Sequence, residues 1–190
     1  MTVRPILQAT DPRGEAILRR KSSKVKRFDQ DLVRLVDDMV DSMHAANGAG
    51  LAAVQIGVLQ RVVVAELPPL RAKGEAEEAP PPRRFVLCNP ELVERSPEQQ
   101  TGEEGCLSLA GWYAQVPRAQ AVEVRYQDLQ GRRRRMHAEG FLARVLQHEL
   151  DHLEGVLFTD QVEDFSTLVR VTPEGEEPVP LEQIPTRGEP

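Results

Sequence analysis

Cysteine is scarce in this 190-residue sequence: only Cys88 and Cys106 occur. Two thiols exclude a disulfide-stapled secreted scaffold, and a lone bridge is a poor expectation for an intracellular chain of this size, so at least one of them wants another explanation. Long apolar runs are also missing. No window approaches the ~20 residues of a membrane span, and Met1-Thr2-Val3-Arg4-Pro5 has no signal-peptide core, so a cytoplasmic location is expected. An excess of basic charge is missing as well, the formal net charge being -6. That excludes a general nucleic-acid or membrane footprint. The run Arg132 to Arg135 is short and isolated and follows the turn Asp128-Leu129-Gln130-Gly131; it reads as a charged edge strand. What remains, 40% hydrophobic and 28% charged residues, is the balance of a soluble globular chain with one sizeable core.

The densest chemical signal is Gln147-His148-Glu149-Leu150-Asp151-His152-Leu153-Glu154-Gly155. Histidines four apart on a helix lie about 40° apart around its axis and one turn apart along it, so both imidazoles can reach one cation. Glu149 sits about 60° from His152, beside that direction, where a carboxylate can handle the proton of a metal-bound water. The bland alternative is a helix whose histidines are merely packed. The flanks argue for a buried catalytic helix: Leu142, Leu146, Leu150 and Leu153 form an apolar stripe, and Phe141 and Val145 continue the histidine face upstream. Gly155 reads as the C-cap.

Upstream, a short helical piece is expected near Glu15 to Arg20, after the turn signal Asp11-Pro12. Leu32, Leu35, Val36, Met39, Val40 and Met43 then recur at helical spacing, predicting an amphipathic helix from Asp29 to Asn47-Gly48. His44 in its last turn is expected to serve the helix C-terminus rather than a metal. The small-residue run Gly48 to Gly57 lets another backbone approach closely, and Gln55 is its one polar side chain. Strands are expected at Arg61 to Leu67 and at Phe85 to Leu87, the latter interrupted by Asn89-Pro90, with Pro68 to Arg84 a mobile loop between them. Cys88 falls in an apolar run and reads as a small buried hydrophobe. Val116 to Tyr126 and Arg132 to Ala138 read as a hairpin, with His137 on its surface, and Val156 to Phe158 as a short extended segment. From Thr172 onward, prolines among glutamates predict a disordered tail.

Cys106 lies outside any apolar run, in Gly102-Glu103-Glu104-Gly105-Cys106-Leu107-Ser108. As a thiolate it is a nucleophile or a metal ligand. A Cys-His hydrolase, with Cys106 attacking a carbonyl, is a fair rival. The histidine pair tips the balance: one base suffices for a cysteine protease, whereas three ligands with an open fourth position retain a reactive water.

Three stretches together, Gly48 to Gln55, Glu104 to Ser108 and Gln147 to Gly155, resemble the G-x-G-x-A-A-x-Q, E-G-C-x-S and Q-H-E-x-D-H-L-x-G segments of the bacterial peptide deformylases, in the same order. The resemblance runs from about Ile6 to Asp164. It implies an α+β fold, with short antiparallel sheets packed around a central metal-binding helix and a second amphipathic helix from the N-terminal half. It implies a catalytic domain over residues 1–165 and an acidic, proline-rich tail over 166–190. It further implies Cys106, His148 and His152 as ligands of ferrous iron, replaceable by zinc, nickel or cobalt. The reaction implied is removal of the formyl group from N-terminal formylmethionine of newly made chains. In it, metal-bound hydroxide attacks the formyl carbon, Glu149 acts as general base and acid, and Gln55 and the Leu107 N–H stabilise the oxyanion. Substrate contacts fall by the same resemblance to Ala49, Gly50, Gly105 and Val145. The implied partners are N-formylmethionyl nascent peptides and the ribosome, with neither nucleic acid nor membrane. Val54 and Ala110 stand where the family often has proline, and the Pro68 to Arg84 loop is long. The rival functions are a zinc peptidase and a non-catalytic homologue that binds metal or peptide.

Overall fold

The computed structural model describes residues 2–67 and 81–185. A short helix α1 (Pro12–Leu18) is capped by the Asp11 side chain and carries proline in its first turn, where the missing N–H costs nothing. The helix α2 (Gln30–Ala45) starts where Asp29 accepts from the N–H groups of Asp31 and Leu32 at 3.1 and 3.3 Å. It buries Leu32, Leu35, Val36, Met39, Val40 and Met43, the stripe expected of it. Next come strand β1 (Gly50–Ala52), a 3-10 turn over Ala53–Ile56, strands β2 (Val62–Leu67) and β3 (Arg83–Arg95), and strands β4 (Gln99–Cys106), β5 (Leu109–Ala119), β6 (Ala121–Gln127) and β7 (Arg133–Glu139). The metal-motif helix α3 (Gly140–Leu153) follows, then a hairpin of β8 (Val169–Thr172) and β9 (Gly175–Pro178).

The strands form two antiparallel sheets, ordered β1-β2-β3-β6-β7 and β4-β5-β8-β9. Strand β2 explains why its apolar residues do not alternate with polar ones. Val63 and Ala65 face the cluster around α3, while Val62 and Val64 face the one around α2, so both faces of the strand are covered. Helix α3 is buried on nearly every side, with Leu146 and Leu153 fully so. Gly155 ends it at φ 73°, and a Cβ there would come within 2.2 Å of the Arg19 carbonyl oxygen, so only glycine allows the N-terminal arm to cross this close. The arginine-rich β7 does form the edge of its sheet, with Arg134 on Asp128 and Arg135 on Glu123.

The structure departs from the sequence reading in several places. Asn89-Pro90 does not interrupt its strand: β3 runs through them with a register shift between Cys88 and Glu91, and Asn89 takes a positive φ of 50°. A bulge places the prolyl nitrogen without ending the strand. The single strand expected over Val116 to Tyr126 is the end of β5 and most of β6, which break at Gln120 and belong to different sheets, and β4 was not foreseen, its polar sequence being that of a sheet edge. Of the expected mobile loop, residues 68–80 lie outside the described residues, and Arg83 and Arg84 belong to β3. His44 bonds Glu66 at 2.8 Å instead of serving its own helix end. Phe158 opens a 3-10 turn rather than closing an extended segment. Of the expected disordered tail, residues 186–190 lie outside the described residues; before them β8 pairs with β5, and Leu168, Val179 and Ile184 are buried. A composition rich in proline and glutamate hid these three apolar anchors.

Candidate metal centre

Cys106 is the last residue of β4, and the register slips between Gly105, opposite Tyr113, and Cys106, opposite Leu109. That irregularity turns the thiol off the strand and toward α3. Its Sγ stands 3.2 Å from His152 Nε2 and accepts from the Ser108 N–H at 3.4 Å and from Gln55 Nε2 at 3.7 Å. His148 and His152, one turn apart on α3, present their rings edge to face with centroids 5.0 Å apart. One ligand atom from each of Cys106, His148 and His152 falls within 4.8 Å of the others, all three residues being buried. Around a tetrahedral ion, sulfur and nitrogen ligands stand roughly 3.6 Å apart, so the three side chains fit one cation with small shifts. His148 Nδ1 is engaged with Glu104 Oε2 at 3.0 Å, which leaves Nε2 as the free donor. Burial would lower His148, but its hydrogen bonds with Cys106 and Glu104 outweigh it and raise the imidazole well above its ordinary value.

Glu149 lies beside the trio. Burial pushes its carboxyl up to about 7, and its Oε2 has no partner among the described residues. A Cβ on Gly50 would lie 2.6 Å from Glu149 Oε1 and 2.9 Å from Val145 Cγ1, so the β1 backbone and this carboxylate need the absent side chain. Gln55 is buried on the 3-10 turn, its Oε1 accepting from the Ala52 N–H at 2.8 Å and its Nε2 donating to Ser108 Oγ at 3.2 Å. The fixed amide thus keeps its N–H side toward the cysteine. A cleft of about 820 Å³ opens here, lined by Ala49, Gly50, Gln55, Gly105, Cys106, Leu107, Val145, His148 and Glu149. Every site residue named from sequence borders it except His152, which lies fully buried behind. Phe141, half exposed, stands at its rim.

Sequence reasoning missed the residues under the trio. Glu104 holds His148, and Arg118 and Arg144 hold Glu104. Burial would raise the Glu104 carboxyl, but hydrogen bonds from His148 and Arg118 outweigh it and keep it at about 2. The available signal was a charged residue, Arg144, on the buried side of an otherwise apolar helix. Of the two positions where the family often has proline, Ala110 uses its N–H to donate to Gln8 Oε1 at 3.3 Å, a bond a proline could not make. Cys88 is free and buried, its thiol pushed to about 11 by burial and then by Asp128, in keeping with an inert packing role.

A trio of side chains able to hold one metal ion, set beside a buried carboxylate, is the arrangement of metal-dependent hydrolases, and this α+β chain falls in that class. Comparison with known proteins narrows it. A family model described as polypeptide deformylase matches residues 3–167. The chain is 51% identical over 172 residues to a peptide deformylase of Roseiflexus castenholzii, covering 88% of this chain and 93% of that one. It is 48% identical over 177 residues to one of Thermomicrobium roseum, covering 93% and 96%. The crystal structure of the Thermotoga maritima peptide deformylase superposes with a TM-score of 0.73 at 33% identity, over 86% of this chain and all of that one. That of Ehrlichia chaffeensis in complex with actinonin gives 0.74 at 38% identity, over 88% and 92%. The chain belongs to the polypeptide deformylase family.

Proposed function

We propose that this protein removes the formyl group from the N-terminal formylmethionine of newly synthesised chains in the cytoplasm, with Cys106, His148 and His152 holding ferrous iron. Zinc, nickel or cobalt can take its place, because thiolate and imidazole suit several such ions. The bound ion supplies Lewis acidity and makes water a nucleophile at neutral pH. Glu149 takes the water's proton and delivers it to the departing amine, otherwise a poor leaving group. Gln55 Nε2 and the Leu107 N–H donate to the formyl oxygen as charge gathers on it. Ala49 and Gly50 on one side of the cleft and Gly105 on the other receive the peptide main chain as an added strand, so recognition is largely independent of sequence, and Val145 walls the methionine pocket.

The observation that carries this reading is the Glu149 carboxylate, buried with one oxygen unpartnered, between the three candidate ligands and the Gly50 backbone. Its test is the variant Glu149→Gln, assayed for formate release from formyl-Met-Ala-Ser alongside metal analysis. The variant should keep its metal and lose about a hundredfold or more of its turnover. Turnover near wild type would remove Glu149 from proton transfer, and cleavage of internal bonds in casein by the wild type would instead favour a peptidase.

A further inference from the structure

Beneath His148 lie four buried or partly buried charged groups that the chemistry above does not use: Glu104 on β4, Arg118 on β5, and Arg144 and Asp151 on α3. Glu104 Oε1 accepts from Arg118 Nε at 2.9 Å and Arg144 Nη1 at 2.8 Å; Oε2 accepts from Arg118 Nη2 and His148 Nδ1, both at 3.0 Å. A carboxylate has about four acceptor sites, so this one is saturated and cannot swing away from His148 without breaking bonds. Arg118 also donates to Asp151 at 2.6 Å, which leaves two cations balanced by two anions.

Arg144 does more than neutralise. It lies one turn before His148, and besides Glu104 its Nη1 reaches the carbonyl oxygens of Gly102 at 3.2 Å and Val116 at 2.8 Å, while Nη2 reaches that of Gln100 at 2.8 Å. One guanidinium from the histidine helix therefore bonds the main chain of both strands of the Cys106 hairpin. Strand β4 passes so close that a Cβ on Gly102 would stand 3.1 Å from Arg144 Nη2. The thiol and the imidazoles come from different elements, so their convergence depends on how β4 sits against α3.

We infer that Arg144 is a positioning residue for the metal centre: it registers the Cys106 strand against the histidine helix and locks Glu104 onto His148 Nδ1. This rests on the reading of Cys106, His148 and His152 as ligands. A role in stability alone would lower the melting temperature and leave the ion's surroundings unchanged.

The variants Arg144→Met and Arg144→Lys test it in protein loaded anaerobically with cobalt, by the visible thiolate-cobalt absorption and the rate of cobalt loss to a chelator. The double variant Glu104→Gln/Arg144→Met removes one buried charge of each sign and leaves Arg118 paired with Asp151, which avoids the folding hazard of an unbalanced charge. The expected result is cobalt loss faster by about tenfold or more in Arg144→Met and in the double variant, with a shifted absorption band, and partial rescue by lysine. In formate release, kcat should fall further than KM rises. Wild-type cobalt loss and absorption in Arg144→Met, or in the double variant where the single one does not fold, would overturn the inference. Wild-type protein that takes up cobalt without a thiolate band would overturn the ligand reading itself, and this inference with it.

Discussion

Two buried glutamates, Glu104 bonded to His148 and Glu149 next to it in the chain, are charged at opposite cost. Both are buried, but Glu104 recovers the loss through four hydrogen bonds, whereas Glu149 keeps an oxygen without a partner. Against an ordinary 4.5, burial opposed by His148 and Arg118 leaves Glu104 at about 2, while burial leaves Glu149 at about 7. Glu104 therefore contributes stability in full above pH 4.5, and that contribution is lost as pH falls from 4.5 through 2. Glu149 works the other way: its folded-state value lies above the unfolded one, so stability is lost as pH climbs from 4.5 through 7. Each separation is worth on the order of 3 kcal/mol. In urea unfolding of the metal-free protein, Glu149→Gln should be more stable than wild type near pH 8 and merge with it near pH 4. Glu104→Gln should be less stable near pH 7, and its deficit should close as the pH is lowered toward 2. Differences that stay constant across this range would show that these carboxylates are not held as described.

At the scale of elements, the C-terminal hairpin is the part most at odds with its composition. Trp112 and Tyr113 of β5 pair with Arg170 and Val169 of β8, and Leu168, Val179 and Ile184 join the cluster that contains Cys106, Leu109 and Trp112. Arg19 ties the end down through the Pro185 carbonyl oxygen at 2.7 Å. Burying three such side chains is worth about 1.5–3 kcal/mol each, so a chain ending at Thr167 should melt several degrees lower and release its ion faster. An unchanged melting temperature would mean that the hairpin only decorates the sheet. The two long helices, by contrast, were legible from periodicity, because each buries a continuous stripe and carries a visible start or stop in Asp29 or Gly155. So were β2 and β7, and β6 in part, because the expected strand from Val116 to Tyr126 ran on across the break at Gln120 that separates β5 from β6. Strand β4 was not legible, since Gln99 to Gly105 has one face toward solvent and no apolar alternation. The candidate trio of Cys106, His148 and His152 was legible because two of its members share one helix and the third stands in a short polar stretch outside any apolar run. The Glu104-Arg118-Arg144 cluster was not, because its members are brought together only by the tertiary fold.

Taken as a whole, the described residues form two antiparallel sheets closed around one buried helix, and residues of the edge strands β1 and β4 line the cleft. Among the described residues, no helix is long and apolar enough to cross a membrane. The sheet carrying Cys106 and the helix carrying the histidines belong to different parts of the chain, separated by 42 residues from Cys106 to His148, so the centre exists only in the folded state. Metal should then bind the folded protein far better than the unfolded one and raise its stability in proportion to affinity. The most direct measurement is formate release from formyl-Met-Ala-Ser by metal-free protein titrated anaerobically with ferrous ion. The expected result is no release without metal and a rate that climbs linearly to a plateau at one equivalent. Full activity in the metal-free protein, or one tightly bound equivalent with no formate released, would contradict it.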